Sequence, residues 1–237
     1  MQGTHASVLH NTIVDTLGLQ IARGELRPGE ALTLEGIGSE LGISRTVARE
    51  AMRLLESLGM VTSRRRVGII VQPPSAWRVF DPRIIWWRLS SHTRDEQLRS
   101  LTELRIAIEP LAAASAARRA GSAERMRLRE IAATMRELGE AGDLQRFLEE
   151  DIAFHSLLLT ASGNEMFAAL THVVAAVLEG RTQLGMMPEH PVPEALALHI
   201  EVARAVAEGD PERAERAMRD LLTEVRTAVV VETGGPA

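Results

Sequence analysis

Gly42-Ile43-Ser44-Arg45-Thr46-Val47-Ala48-Arg49-Glu50-Ala51-Met52 is the stretch on which the fold of this 237-residue chain turns. Gly42 stops the segment before it. Ser44 is a good N-cap for a helix in which Val47, Met52, Leu54, Leu55 and Leu58 are the apolar positions. Ser44, Arg45 and Thr46 then occupy the exposed N-terminal end of that helix, and Arg49, four residues from Arg45, shares its face. A guanidinium is shaped for bidentate contact with guanine or phosphate. The blander reading is that both arginines solvate an exposed face, with Glu50 and Glu56 as helix partners.

The flanks favour the first reading. Upstream, Leu9, Ile13, Leu17 and Ile21 predict an amphipathic helix over 8–23, stopped by Gly24 and Arg27-Pro28-Gly29. A short helix over 34–41 follows, weakened by Gly36 and Gly38. Downstream, Gly59 ends the arginine-bearing helix and the period changes. Met60-Val61-Thr62-Ser63 and Val67-Gly68-Ile69-Ile70-Val71 are β-rich runs around Arg64, Arg65 and Arg66, which predicts a hairpin with a basic tip and Gly68 allowing a tight wing. Helix, helix, turn, helix and hairpin is the order of a winged helix-turn-helix. The tip arginines are then placed to reach the sugar-phosphate backbone or minor groove.

Gln72-Pro73-Pro74-Ser75 predicts a linker, because paired prolines continue neither helix nor sheet. Beyond Pro82 the patterning is helical, over 83–90, 94–120, 122–139, 143–162, 164–187, 193–208 and 210–230. The expected fold class is mainly α: an N-terminal winged helix-turn-helix with a small β-hairpin wing, and an all-α antiparallel helical-bundle C-terminal domain. The boundaries are 1–72 for the DNA-binding domain, 73–93 for a connector, 94–230 for the helical domain and 231–237 for a flexible tail. Trp86 and Trp87, in the connector, read as interdomain packing.

Composition narrows the chemistry. Cysteine is absent, which excludes disulfides, thiolate nucleophiles and cysteine metal sites. All 27 basic residues are arginine, so lysine mechanisms are excluded as well. The net charge of −5 hides an asymmetry: residues 1–75 hold eight Arg against seven acidic residues, and the remainder 19 against 25. Local clustering of arginine is the more useful signal for nucleic acid. No apolar run approaches the ~18 residues of a membrane span, and the N-terminus has no secretory pattern, so a soluble cytoplasmic protein is expected.

A family resemblance now becomes plain. Ile21-x-x-Gly24-x-Leu26-x-Pro28-Gly29, Leu41 to Ala51, Leu55-x-x-x-Gly59-Met60-Val61 and Gly68-x-x-Val71 together resemble the GntR family of bacterial regulators over residues 8–72, with Ala48 replacing the usual valine. In the acidic half, Leu104-Arg105-x-x-x-Glu109-Pro110-x-Ala112-Ala113, Asp151-x-x-x-His155, Ser162-Gly163-Asn164, and the run from His199 through Gly209-Asp210 to Met218 are similar to the FCD ligand-binding domain of the FadR subfamily, over 95–230. Trp77 to Trp87 resembles the connector of sugar-acid-responsive, galactonate-type members.

Asp151 and His155, four apart on a helix, project from one face and suit zinc, manganese or nickel; the alternative is a buried His bonded to its helix neighbour. His199 is a third ligand candidate. The resemblance implies one Asp and three His in metal-binding members, the last His falling here at Leu221. His172, solvent or the effector itself are the candidates to complete the shell. Arg105, charged within an apolar helical stretch, is the leading candidate for gripping an anionic effector, unless it is a structural partner of Glu109 or Glu103. Arg181 and Asn164 are further candidates, Asn164 having a helix cap as its alternative role.

The functional expectation is a homodimeric transcription regulator, a repressor, whose binding to palindromic operator DNA is controlled by a small carboxylate or sugar acid. Its rivals are a metal-dependent helical enzyme built on Asp151, His155 and His199, and a DNA-binding protein whose C-terminal half only dimerises.

Overall fold

The computed structural model describes residues 2–186, 188 and 190–233, with side chains over 12–186, 188 and 190–224. The chain divides into two compact units, Met1–Arg94 and Asp95–Ala237.

The first unit opens with α1 (Gln2–Ala22), β1 (Ala31–Leu32), α2 (Leu34–Leu41) and α3 (Arg45–Ser57). On α1 the expected stripe is buried at Ile13, Leu17 and Ile21, while the side chain of Leu9 lies outside the described residues. The helix α2 forms despite its glycines because both ends are closed. Thr33 Oγ1 accepts from Gly36 N at 3.0 Å, and Gly42 adopts φ 65° at the C-cap, where its N–H donates to Gly38 O. Gly38 also admits a close neighbour, since a Cβ there would stand 3.0 Å from the carbonyl oxygen of Ile43.

Strands β2 (Val61–Arg64) and β3 (Gly68–Val71) form the expected hairpin, with Val61 opposite Val71 and Arg64 opposite Gly68. A further strand joins them. β1 pairs antiparallel with β3, giving the order β1-β3-β2. Two residues carry no period, so β1 could not be read from the pattern. Gly59 ends α3 with φ 77°, where a Cβ would fall 2.2 Å from the carbonyl oxygen of Ala76; only glycine fits.

The segment expected to be a connector is part of this unit. Asp81 caps α4 (Pro82–Leu89), its Oδ1 accepting from Arg83 N at 2.9 Å. Trp87 is fully buried against α1: its Nε1 donates to Asp15 Oδ1 at 3.2 Å, and a Cβ on Gly18 would meet its ring at 2.6 Å. Trp77, Ile84 and Trp87 belong to the same core as Leu17, Leu55 and Met60, with Trp86 packed against it. Trp87, expected with Trp86 to pack between domains, thus serves the core of the N-terminal unit, and Trp86 packs against that core.

The second unit is wholly helical among the described residues: α5 (Arg94–Arg119), α6 (Ser122–Ala141), α7 (Leu144–Ala161), α8 (Glu165–Ala168), α9 (Thr171–Gln183), α10 (Pro193–Glu208) and α11 (Pro211–Thr233). Its core joins Ala113 and Ala117 of α5 to Ile131 and Met135 of α6, Phe154 of α7, Val202 of α10 and Met218 of α11. Arg125 closes two helix ends together. Its guanidinium donates to Ala117 O at 2.7 Å and Ala120 O at 2.8 Å at the end of α5, and to Val206 O and Ala207 O at the end of α10. The helix expected over 164–187 is broken into α8 and α9 at Ala169-Leu170, two ordinary helix formers that give no local warning, and α9 stops before Gly185 at φ 68°. Met187 lies outside the described residues. Residues 231–233, expected in the tail, continue α11, and 234–237 lie outside the described residues.

Candidate nucleic-acid interface and ligand pocket

The cap on α3 is in place: Ser44 Oγ accepts from Val47 N at 3.3 Å. Ala48 is fully buried and turns the opposite face of the helix outward, so Arg45, Thr46 and Arg49 are exposed. The acidic partners considered for these arginines are engaged elsewhere. Glu50 pairs with Arg53 at 2.8 Å, and Glu56 accepts from the backbone N–H of Ser63 at 2.6 Å, tying α3 to the wing. Among the described residues neither Arg45 nor Arg49 pairs with a carboxylate.

Arg64 ends β2, and Arg65 and Arg66 form the exposed turn, closed by Val67 N donating to Arg64 O at 3.1 Å. Arg66 sits at φ 67°, in the left-handed region that disfavours a side chain. Gly68 has φ 114°, and a Cβ there would stand 2.9 Å from Leu32 O, where β1 crosses. Between α3 and the wing lies a groove of about 500 Å³, lined by Thr33, Arg45, Arg49, Arg53, Ser63 and Arg64. It is open and basic, as a polyanion requires.

The second unit holds the opposite kind of site, a cavity of about 70 Å³ walled by Phe147, Leu178, Val192, Ala195, Leu221 and Leu222 and bearing Arg105, Asp151, His155, Arg181 and His199. All five polar side chains are buried. Arg105 comes from α5, Asp151 and His155 from successive turns of α7, Arg181 from α9 and His199 from α10. Arg105 Nε donates to Glu109 Oε1 at 2.6 Å, and its Nη2 lies 3.2 Å from His155 Nε2. His155 Nδ1 stands 2.5 Å from Glu109 Oε2, off the ideal N–H direction, and neither atom has another hydrogen-bond partner among the described residues. Asp151 Oδ1 is 3.2 Å from His155 Nε2 and 3.4 Å from His199 Nε2. His199 Nδ1 pairs with Ala195 O at 2.7 Å.

Charges this deep survive only by mutual compensation. Burial opposes ionisation of Glu109, but Arg105 and His155 outweigh it and bring the carboxyl down to about 2. Burial likewise opposes the charge on Asp151, and the closeness and attraction of His155 and His199 hold it well below the ordinary carboxylate range. For His155, burial disfavours the charged ring and Glu109 favours it; the balance raises its pKa.

Asp151, His155 and His199 offer ligand atoms within 4.8 Å of one another. Asp151 Oδ1 and His199 Nε2 are buried and make no hydrogen bond, two electron pairs converging on one point of the pocket, and this donor set fits a divalent cation. Of the other expected residues, Arg181 lies in the pocket wall. His172 does not: it is exposed near the start of α9, on a different face from Leu178 and Arg181. Asn164 is exposed too, and its Oδ1 accepts from Met166 N at 3.0 Å, the cap of α8. Both are corrected as pocket residues. Leu221 is fully buried in the wall, so the position of the absent histidine is apolar. Glu109 was read only as a structural partner of Arg105; its four-residue spacing gave that contact, but its reach to His155 on another helix left no trace in the pattern.

A basic winged helix joined to a helical unit with a charged pocket defines a class, the DNA-binding regulators that carry their own ligand-sensing domain. Residues 9–71 match the model of the bacterial regulatory proteins of the gntR family, and residues 100–224 match the FCD domain. The HTH-type transcriptional regulator YieP of Escherichia coli K12 is 30% identical over 218 residues, covering 90% of this chain and 92% of the relative. The galactonate operon transcriptional repressor of the same organism is 30% identical over 211 residues, covering 86% and 90%. Among solved structures, the GntR protein of Streptococcus agalactiae shares the fold, with TM-score 0.52 at 23% identity, over 92% of this chain and 99% of that one. The chain belongs to the GntR family, in its FCD-bearing, FadR-like branch. It is a transcription regulator whose DNA binding is controlled by an effector, not an enzyme, and no described helix is long and apolar enough to cross a membrane.

Proposed function

We propose that this protein is a homodimeric repressor of a catabolic operon, released from a palindromic operator by a small carboxylate or sugar acid bound in the helical unit. The observation that carries this reading is the pocket itself, where Arg105 and Arg181 stand inside apolar walls beside Asp151, His155 and His199. Apolar walls around a few convergent charges suit a small anion with a carbon skeleton. A domain that only dimerised has no use for five buried polar side chains in one cavity. The similarity to a repressor named for galactonate supports the sugar-acid class.

On the DNA side, Ser44, Arg45, Thr46 and Arg49 meet the major groove from the N-terminal end of α3, while Arg64, Arg65 and Arg66 follow the backbone or minor groove beside it, with Gly68 shaping the wing. Asp151, His155 and His199 hold a divalent cation, zinc, manganese or nickel, with the fourth position left to solvent or effector. Such an ion supplies a Lewis-acidic point for a carboxylate or hydroxyl oxygen. Cytoplasmic location follows from the DNA target.

The test is a gel shift on the intergenic DNA beside the gene, with a panel of sugar acids and dicarboxylates, with and without chelator. One compound that both weakens the shift and raises the melting temperature supports the reading, and the chelator lanes decide the role of the cation. Operator affinity unchanged across the whole panel rejects effector gating.

A further inference from the structure

The carboxylate of Glu109 sets one oxygen against each of two pocket groups: Oε1 accepts from Arg105 Nε at 2.6 Å, and Oε2 lies 2.5 Å from His155 Nδ1. We propose that Glu109 is the positioning residue of the pocket, keeping the His155 proton on Nδ1 so that Nε2 keeps its electron pair toward the pocket, while it holds the guanidinium of Arg105 at the pocket wall. This rests on the cation reading above. Glu109 itself touches neither cation nor effector.

Two observations converge on that tautomer. An ionised carboxylate can only accept, so the ring nitrogen beside Glu109 carries a proton in both the neutral and the charged ring. Arg105 can only donate, and its Nη2 lies 3.2 Å from His155 Nε2, which in the neutral ring is then the acceptor. His199 reaches the same state by other means, with Nδ1 at 2.7 Å from the carbonyl oxygen of Ala195 and Nε2 toward Asp151. Each imidazole is thus turned by an acceptor behind it to offer Nε2 to one point, the usual way a protein orients ligand histidines.

Glu109→Gln separates shape from chemistry. The amide oxygen must face Arg105 Nε, because the alternative sets two donors together in a buried site. Its NH2 then faces His155 Nδ1, which has to accept, and the ring proton moves to Nε2. A protonated Nε2 cannot bind a cation.

The experiment uses the purified full chain and the metals alone. Zinc, manganese and nickel are titrated by calorimetry into the wild type, Glu109→Gln and the ligand control His199→Ala, and the ring proton of His155 is located by 15N-histidine NMR. Expected are a cation affinity lower by roughly tenfold to a hundredfold in Glu109→Gln and a shift of the proton from Nδ1 to Nε2. Equal cation affinity in the two proteins overturns the proposal, and so does a loss of affinity without the shift. If the wild type binds no cation, the cation reading falls, and the NMR comparison alone upholds or rejects the positioning role. If Glu109→Gln does not fold, the wild-type spectrum decides: a neutral His155 protonated on Nε2 overturns the proposal.

Discussion

Arg45 and Arg49 stand in solvent with no carboxylate of their own, whereas Arg105 is buried and closed onto Glu109 and His155. Both groups are arginines on helices, and both are assigned to anions. The partner accounts for the difference. A long polyanion brings its own dense charge and displaces its own counterions, so the protein need only leave cations exposed along a groove. A small anion must be taken out of water, and a site that desolvates it has to be stable while empty. Its cations therefore come already compensated, and binding adjusts a network instead of completing a lone charge. On the proposed function, different residues carry function and stability in the first unit, and the same ones carry both in the second.

That contrast can be broken most sharply at Arg105. Arg105→Ala leaves Glu109 buried without its cation and should destabilise the helical unit by about 3–5 kcal/mol, read as a fall in the urea midpoint by circular dichroism. An unchanged midpoint would mean that the pocket charges are not a structural network. Gly18→Ala makes the converse point in the other unit. Its Cβ enters the space of the Trp87 ring, and about 1–3 kcal/mol of overpacking is expected in a thermal melt, although Gly18 belongs to no proposed site. Arg45→Ala and Arg49→Ala should each weaken operator binding by roughly tenfold to a hundredfold in a gel shift while leaving the melt where it was. A lowered melting temperature in either variant would erase the contrast. The smallest effect is expected at the wing. Arg66→Gly relieves a left-handed backbone and should raise stability by about 1 kcal/mol while weakening DNA binding, so the two readouts move in opposite directions.

The first unit was legible because its signals are local. Ser44 before an amphipathic run, Gly42 and Gly59 as stops, and alternation around three arginines each work within a few residues, and each is seen in place. The two features it did not show are tertiary. β1 is two residues long, and the burial of Trp87 depends on Asp15, 72 residues away. The pocket was legible where a helix repeat placed its residues, as with Asp151 and His155, and where motif order marked His199. It was illegible where a side chain is recruited across helices. His172 has the right chemistry on the wrong face of α9, while Arg181 is brought to the wall by packing that no spacing encodes. Glu109 was visible as a neighbour of Arg105 and invisible as a neighbour of His155 for the same reason.

The tight seat of Trp87 against Gly18 has an optical consequence. Trp77, Trp86 and Trp87 are the three tryptophans of the chain, all of them belong to the N-terminal unit, and tyrosine is absent. Near-ultraviolet emission therefore comes almost wholly from the DNA-reading unit, and the pocket-bearing unit is dark. Among the described residues that line the pocket there is no tryptophan or tyrosine. Tryptophan emission followed as a sugar acid is added therefore reports the state of the N-terminal unit, and the unmodified protein carries its own dye for watching it.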